Sequence, residues 1–333
     1  MISEKLSIKF KICSLIATIF VVYRHAFVIN AFYKNANEAS NILIFTTKII
    51  SSLTEIAVPI FFIISGFFFF KYNYYLKQNY INMIKKKFQS LFIPFIIWNI
   101  IGLGILFLYD KASMPDSFYE LIQNFFYSEY YGPLWYVRDM MLLMLLVPLF
   151  QWIYMPKWNW ILFAIIPLLF VYWIPVDCFC ISSEGLLFFV TGGIISHQTI
   201  ILEKRLPCIL SIILFLLWLT ISTFCNLWSH EFLHKFNTII GIVAFWNIID
   251  FIPQKWNESF KYYSAFSFFI YCTHFYSIKT VKIILAHSFP GNSIVALLTF
   301  LVVPLLIILL LIRTGIYLKN KHHKFYLVLT GNR

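Results

Sequence analysis

The sequence predicts an all-α, polytopic integral membrane protein, and three observations carry that prediction. Of 333 residues, 61% are hydrophobic and only 12% charged, where a typical soluble domain has about 25% charged residues. The mean hydropathy is +0.80 over the chain, so in water the surplus apolar side chains would form broad exposed patches. The apolar residues also run unbroken, as from Ile56 to Phe70 and from Ile294 to Ile312, without the alternation of outer-membrane strands. A soluble enzyme, a disordered chain and a coiled coil are excluded.

A helix needs about 20 mostly apolar residues to cross the hydrocarbon core. Ten stretches qualify: 9–31, 50–70, 88–109, 134–154, 159–176, 184–200, 207–228, 236–252, 262–286 and 293–315. The first has the basic flank of a signal peptide. It has no small-x-small cleavage site and runs on into Arg24 and His25, so it reads as an uncleaved span. In the second, Pro59 has no N–H to offer the carbonyl of Glu55, so the helix is expected to kink or open there. Further along, Ser65-Gly66 offers a small surface to a neighbouring helix. The fifth and sixth stretches are short and separated by a loop around Asp177. No repeat or linker interrupts residues 1–333, which read as one domain. The six cysteines include no CxxC pair and mostly lie in apolar runs, as small hydrophobes do. Cys178 and Cys180, with one residue between them, have poor disulfide geometry, and no metal site is expected.

Lysine and arginine stay on the cytoplasmic side of a membrane. With the N-terminus inside, 18 of the 26 basic residues fall on inner segments, among them Lys5, Lys9, Lys11, Lys85, Lys86, Lys87, Lys157 and Arg333. Only Lys34, Lys48, Lys111 and Lys235 fall outside, while Asp110, Asp116, Glu120 and Glu129 gather in one outer loop. Both termini are therefore expected in the cytoplasm, in a multi-pass protein of the cytoplasmic (inner) membrane. The net charge of +12 is then a topology effect, and no nucleic-acid partner is implied.

Ionisable residues inside spans cost roughly 2.5–3.5 kcal/mol each on insertion scales, so each needs a reason. Arg24, His25, Glu55, Arg138 and Asp139, on three different spans, all fall at a similar outer-third depth, and His274 lies near the middle of the ninth span. A headgroup-level side chain that snorkels to water is the plain alternative for Arg138 and Asp139, and a satisfied structural histidine for His274. His25 and Glu55 have apolar neighbours on both sides and resist the snorkelling explanation, although a buried histidine can also be a satisfied structural donor.

Several local strings resemble the membrane-bound acyltransferase-3 family. They are Ile16 to His25, Val58 to Phe67, Lys85 to Pro94, Pro133 to Asp139 and Phe268 to His274, in order along nearly the whole chain. The resemblance implies an enzyme that moves an acyl group, usually acetyl, from cytoplasmic acyl-CoA to a carbohydrate hydroxyl. Family acceptors include O-antigen, capsule, exopolysaccharide and peptidoglycan sugars. It also implies that His25 is the catalytic residue. Many members carry a basic residue eleven positions earlier, which falls about 20° from the histidine on the same helix face; this chain has Ser14 there. Lys11, one turn below Ser14, is a substitute.

The expected chemistry is general-base attack of a sugar hydroxyl on the thioester, with His25 as base and Glu55 orienting it. Arg24 or Arg138 would stabilise the oxyanion and Trp135 would stack on the sugar, with Asp139 and His274 also lining the acceptor site. Lys11, Lys85, Lys86 and Lys87 would meet the acyl-CoA phosphates, although the three consecutive lysines are equally a positive-inside signal. Acetyl-CoA or another acyl-CoA is a co-substrate, and no tightly bound cofactor is expected. The partners are membrane lipid and a surface polysaccharide or lipid-linked glycan. Either the pantetheine arm threads between helices or the acyl group crosses through a channel. The rival readings are a transporter or flippase for a lipid-linked glycan, disfavoured by the absence of repeats, and an inactive relative acting as an assembly subunit.

Overall fold

The computed structural model describes residues 2–72, 74, 77–109, 114–154, 169, 171–173, 181–197, 199–225 and 230–332. The fifth expected span lies almost wholly outside the described residues, as do Asp110, Lys111, Lys157, Asp177, Cys178, Cys180 and Arg333. Helices occupy the other nine apolar stretches, and the described residues contain no strand. Five of these helical stretches are long and apolar enough to cross a membrane: Glu4–Phe32, Asn41–Phe69, Lys77–Tyr109, Glu231–Phe251 and Ser293–Lys321. Ser183–Ile195 and Cys208–Phe224 are apolar but shorter. Ser267–Ser288 is 22 residues long and mixes His274, Lys279 and Lys282 into its apolar sequence.

By contacts the chain divides into two compact units. The first comprises Met1–Phe61 and Thr199–Thr314. Its central helix α1 (Glu4–His25) starts where the Ser3 hydroxyl accepts from the Leu6 amide at 3.2 Å. Ser40 caps α2 (Asn41–Thr54) in the same way. These caps set helix starts that apolarity alone does not mark, and α2 begins nine residues before the expected span. The helix then opens at Glu55–Ile56 before α3 (Ala57–Phe69). This break is the one expected from Pro59, which cannot donate to the Glu55 carbonyl; Ile60 resumes the ladder on Ile56 at 3.1 Å.

The second unit comprises Phe62–Gln198 and Gly315–Arg333. It includes α4 (Lys77–Lys87), α5 (Ile93–Tyr109), α6 (Phe118–Tyr127), α7 (Trp135–Leu145), α8 (Val147–Tyr154) and α9 (Ser183–Ile195). Between α4 and α5, Phe88–Phe92 forms a π-helical turn. Pro94 again explains it: with no N–H to give to Ser90, the ladder slips and Ile93 donates to Phe88, five residues back. The small surface expected at Ser65-Gly66 is used by α9. A Cβ on Gly66 would strike the Phe189 carbonyl, and one on Gly192 would strike the Ile63 carbonyl, so the two backbones touch reciprocally. On α8, the buried Gln151 accepts from the Tyr74 amide at 3.0 Å and donates to the Tyr72 carbonyl at 2.7 Å. That pair of bonds closes the segment after α3.

The first unit also contains α10 (Cys208–Phe224), α11 (Glu231–Ile248), α12 (Asn257–Ser264), α13 (Ser267–Ser288) and α14 (Ser293–Lys321) as far as Thr314. Helix α1 packs against α2, α12 and α13, and α10 packs against α2 and α11. Tyr23 ties α1 to α14 by donating to the Leu301 carbonyl at 2.9 Å. The tail of α14 and α15 (His323–Thr330) belong to the second unit, where Trp98 of α5 donates to the Leu329 carbonyl at 3.1 Å.

Candidate functional site

His25 is the last residue of α1. A helix leaves its final carbonyls without intrahelical donors, and here Lys282 of α13 supplies them. Its Nζ donates to the His25 carbonyl at 3.2 Å and to the Phe27 carbonyl at 3.0 Å. The backbone that carries the imidazole is thus fixed by a cation. The His25 ring lies 5.2 Å from the His274 ring and meets Phe275 edge-on at 5.1 Å. His274 is completely buried. Its Nδ1 faces the carbonyls of Tyr271 at 2.8 Å and Ile270 at 3.1 Å. Only a protonated Nδ1 suits two carbonyl acceptors, so in the neutral ring Nε2 carries the lone pair. That Nε2 is buried and finds no hydrogen-bond partner among the described residues.

Glu55 meets an imidazole that is not among the residues expected from the sequence. Its Oε2 lies 3.6 Å from Nδ1 of His234 on α11, and its side chain is 7% exposed. The carboxylate sits in the break before Pro59, where α2 has ended and α3 has not begun. Arg24, next to His25, is exposed and lines a cleft of about 670 Å³ together with Lys48, Thr47 and Ser52 of α2 and Ser222 and Thr223 of α10.

At the opposite end of α1 the basic residue that is buried and paired is Lys9. It is 5% exposed and lies 2.8 Å from Asp250, with its Nζ 4.0 Å from the Trp246 ring centre. Arg205 approaches the other oxygen of Asp250 at 3.7 Å. Lys11, the expected substitute for the basic residue missing at Ser14, is half-buried. Asp250 is not among the expected residues, although an acid inside the eighth apolar stretch is the kind of signal that identifies such a pair. His234 was missed because it lies just before the eighth stretch.

The expected residues of the second unit form a closed arrangement. Arg138 donates from Nε and Nη2 to one oxygen of Asp139, at 3.0 and 2.8 Å. The other oxygen accepts from the Ser182 amide at 2.9 Å, at the cap of α9. Asp139 is fully buried and Arg138 is 12% exposed, with its guanidinium 6.0 Å from the Phe126 ring and 5.9 Å from the Tyr127 ring on α6. Asp139 therefore joins α7 to the start of α9. Trp135, at the start of α7, is half-buried with its ring 6.3 Å from Phe62. In the last turn of α4, where cations offset the helix dipole, Lys85 and Lys86 are exposed. Lys87 turns its Nζ over the Phe69 ring at 4.7 Å.

No group of three or more histidine, cysteine or acidic side chains among the described residues could hold a metal ion. No curated protein and no solved structure matches the chain. A family model described as an acyltransferase domain matches residues 15–313, a stretch that contains His25, Glu55, Arg138 and His274 and begins after Lys9 and Lys11. With the motifs at His25, Pro59, Arg138 and His274 all inside the match, the chain belongs to the acyltransferase-3 family of membrane acyltransferases.

Proposed function

We propose that the protein is an O-acyltransferase of the cytoplasmic membrane, with both termini in the cytoplasm. It takes an acyl group, most simply acetyl, from acyl-CoA and delivers it to a hydroxyl of a surface polysaccharide or lipid-linked glycan. The observation that carries this reading is the His25–His274 pair, held at a helix end by Lys282, with the neighbouring Arg24 lining a cleft.

His25 takes the proton of the sugar hydroxyl as its oxygen attacks the thioester carbonyl. The tetrahedral intermediate collapses with loss of the C–S bond, and the imidazolium returns the proton to the departing thiolate. Arg24 is the cation nearest in sequence to the base and is assigned the developing oxyanion. His274 has its Nδ1 proton committed to its own helix and acts as a positioning residue against the His25 ring. Glu55 is assigned to the site wall through His234, with its charge supporting the cationic state of the site. The lysines of α4 are assigned to the phosphates of the donor.

The test is acyl-CoA consumption by purified protein, read as free-thiol release with a glycan acceptor and confirmed by an acyl increment on the glycan. Release with wild type and a loss of about 10²–10⁴ in His25→Ala are expected. Full turnover in well-folded His25→Ala would remove the base, and a wild type that binds glycan but consumes no acyl-CoA would favour the flippase reading.

A further inference from the structure

A histidine base needs its two nitrogens in opposite states. One must be bare toward the hydroxyl it deprotonates, and the other must keep its proton on a partner that holds it there. Glu55, expected to be that partner for His25, lies against His234. The ring that meets His25 across the helix packing is His274, with ring centres 5.2 Å apart and planes at 49°. The two differ in access: His25 is half-buried at the end of α1, and His274 is completely buried. A substrate can reach the first and not the second.

The state of His274 is set by its own helix. Its Nδ1 faces the carbonyls of Tyr271 and Ile270, so in the neutral ring Nε2 is an acceptor on the side away from that backbone. This Nε2 is buried and has no hydrogen-bond partner among the described residues. Ring centres 5.2 Å apart are at the spacing that an N–H···N bond between imidazoles spans, with about 3 Å between the nitrogens. Turning a ring therefore makes the bond, and no helix has to move. Phe275, edge-on at 5.1 Å, and the Lys282 bond to the His25 carbonyl keep the His25 ring beside His274. Hydrogen bonds of this kind often tighten only when substrate is bound.

We propose that His274 is the positioning residue that fixes the tautomer of the base: its Nε2 accepts the N–H of His25 and leaves the other His25 nitrogen bare toward the acceptor hydroxyl. The donors then all point one way, from His25 to His274 and from His274 to the Tyr271 and Ile270 carbonyls. The proton taken from the sugar rides on the other nitrogen of His25 and returns from there to the thiolate, so His274 neither gains nor loses one. This rests on the proposed acyl-transfer reading and deepens it by naming the group that orients the base.

The experiment is NMR on the full-length protein, labelled with 15N-histidine, in nanodiscs above the histidine titration range, alone and saturated with coenzyme A. In at least one of these states the bare nitrogen of His274 should couple through a hydrogen bond to the protonated nitrogen of His25, the signals being assigned by their loss in His25→Ala. Turnover gives a second readout. His274→Phe keeps a buried ring without an acceptor and should lower kcat about ten- to a hundredfold, part of the roughly 10²–10⁴ that loss of the base costs, with the KM for acyl-CoA unchanged. His274→Gln, whose amide oxygen reaches the place of Nε2, should restore most of that loss. A histidine that only packs would lower the melting temperature in both variants and leave the kcat of the folded protein alone. No coupling in either state, wild-type kcat in folded His274→Phe, or equal losses of kcat in the two variants overturns the proposal; if neither variant folds, the coupling in the wild type decides. Coupling in a wild type that consumes no acyl-CoA overturns the acyl-transfer reading and leaves the histidine pair standing.

Discussion

Two clusters of ionisable side chains, one in each unit, use the same kind of residues in opposite ways. Around Asp139 the hydrogen bonds are closed: one oxygen takes two from Arg138, the other takes one from the Ser182 amide, and aromatic rings cover the guanidinium. Around His25 the backbone is equally well held, by Lys282, but a buried imidazole nitrogen of His274 has no hydrogen-bond partner among the described residues. A buried polar atom left in that state costs about 1–3 kcal/mol. The contrast teaches that burial of a charge does not by itself mark a reaction centre. A cluster whose valences are all spent holds helices together, and one that keeps a lone pair in reserve is equipped for chemistry.

The sharpest way to break this contrast is to truncate one residue of each cluster. His25→Ala should lose about 10²–10⁴ in acyl transfer with an unchanged melting temperature in detergent. Asp139→Ala should lose about 3–5 kcal/mol of stability, because it strands the Arg138 guanidinium in a nearly closed site, and its melting temperature should drop steeply. If His25→Ala unfolds while Asp139→Ala melts normally and loses turnover, the two roles are exchanged.

The Lys9–Asp250 pair at the other end of α1 sharpens the same point. Lys9→Met alone should destabilise by a similar amount, since it leaves Asp250 buried with Arg205, at 3.7 Å, as its one remaining ion pair among the described residues. The double variant Lys9→Met with Asp250→Leu should recover most of that loss. Additive losses in the two single variants would show that the residues act separately.

A smaller effect is expected at Glu55. Glu55→Gln retains the size and much of the hydrogen bonding beside His234 and should lower kcat more than it raises the KM for acyl-CoA. A change confined to that KM would move Glu55 from the acceptor side of the reaction to the donor side. The smallest effect belongs to Lys86→Ala. An exposed lysine at a helix end should change the acyl-CoA KM by a few-fold at most and leave the melting temperature alone. A loss of turnover as large as that of His25→Ala would break the assignment of chemistry to the first unit.

Much of the architecture was legible because membrane helices advertise themselves locally. The apolar runs located nine helical stretches, Pro59 foretold the opening at Glu55, and Ser65-Gly66 foretold a close helix crossing. Helix starts were less legible: α2 and α4 begin in polar sequence, where a capping serine or an amphipathic turn leaves no trace in hydropathy. The pairings were hardest, for a reason of distance along the chain. Lys9 and Asp250 are 241 residues apart, and nothing near either one names the other. Glu55 was matched to His25 because the two lay at similar depth on neighbouring stretches. Depth is a one-dimensional coordinate and does not name His234, which lies just before the eighth stretch and meets Glu55. Arg138 and Asp139 were correctly seen as expensive, but their cost is met within the second unit by each other and by Ser182.

The crossing of α3 and α9 fixes more than a distance of approach. One helical turn to either side of Gly66 stand Phe62 and Phe70. Sliding α3 along α9 by one turn, about 5.4 Å, would bring a phenylalanine onto the Phe189 carbonyl, where even a single Cβ does not fit. Intermediate shifts would lift the two backbones apart and give up their reciprocal contact. The pair therefore behaves as a detent with a single seat, and axial gliding, a motion packed helices often permit, is denied to this one.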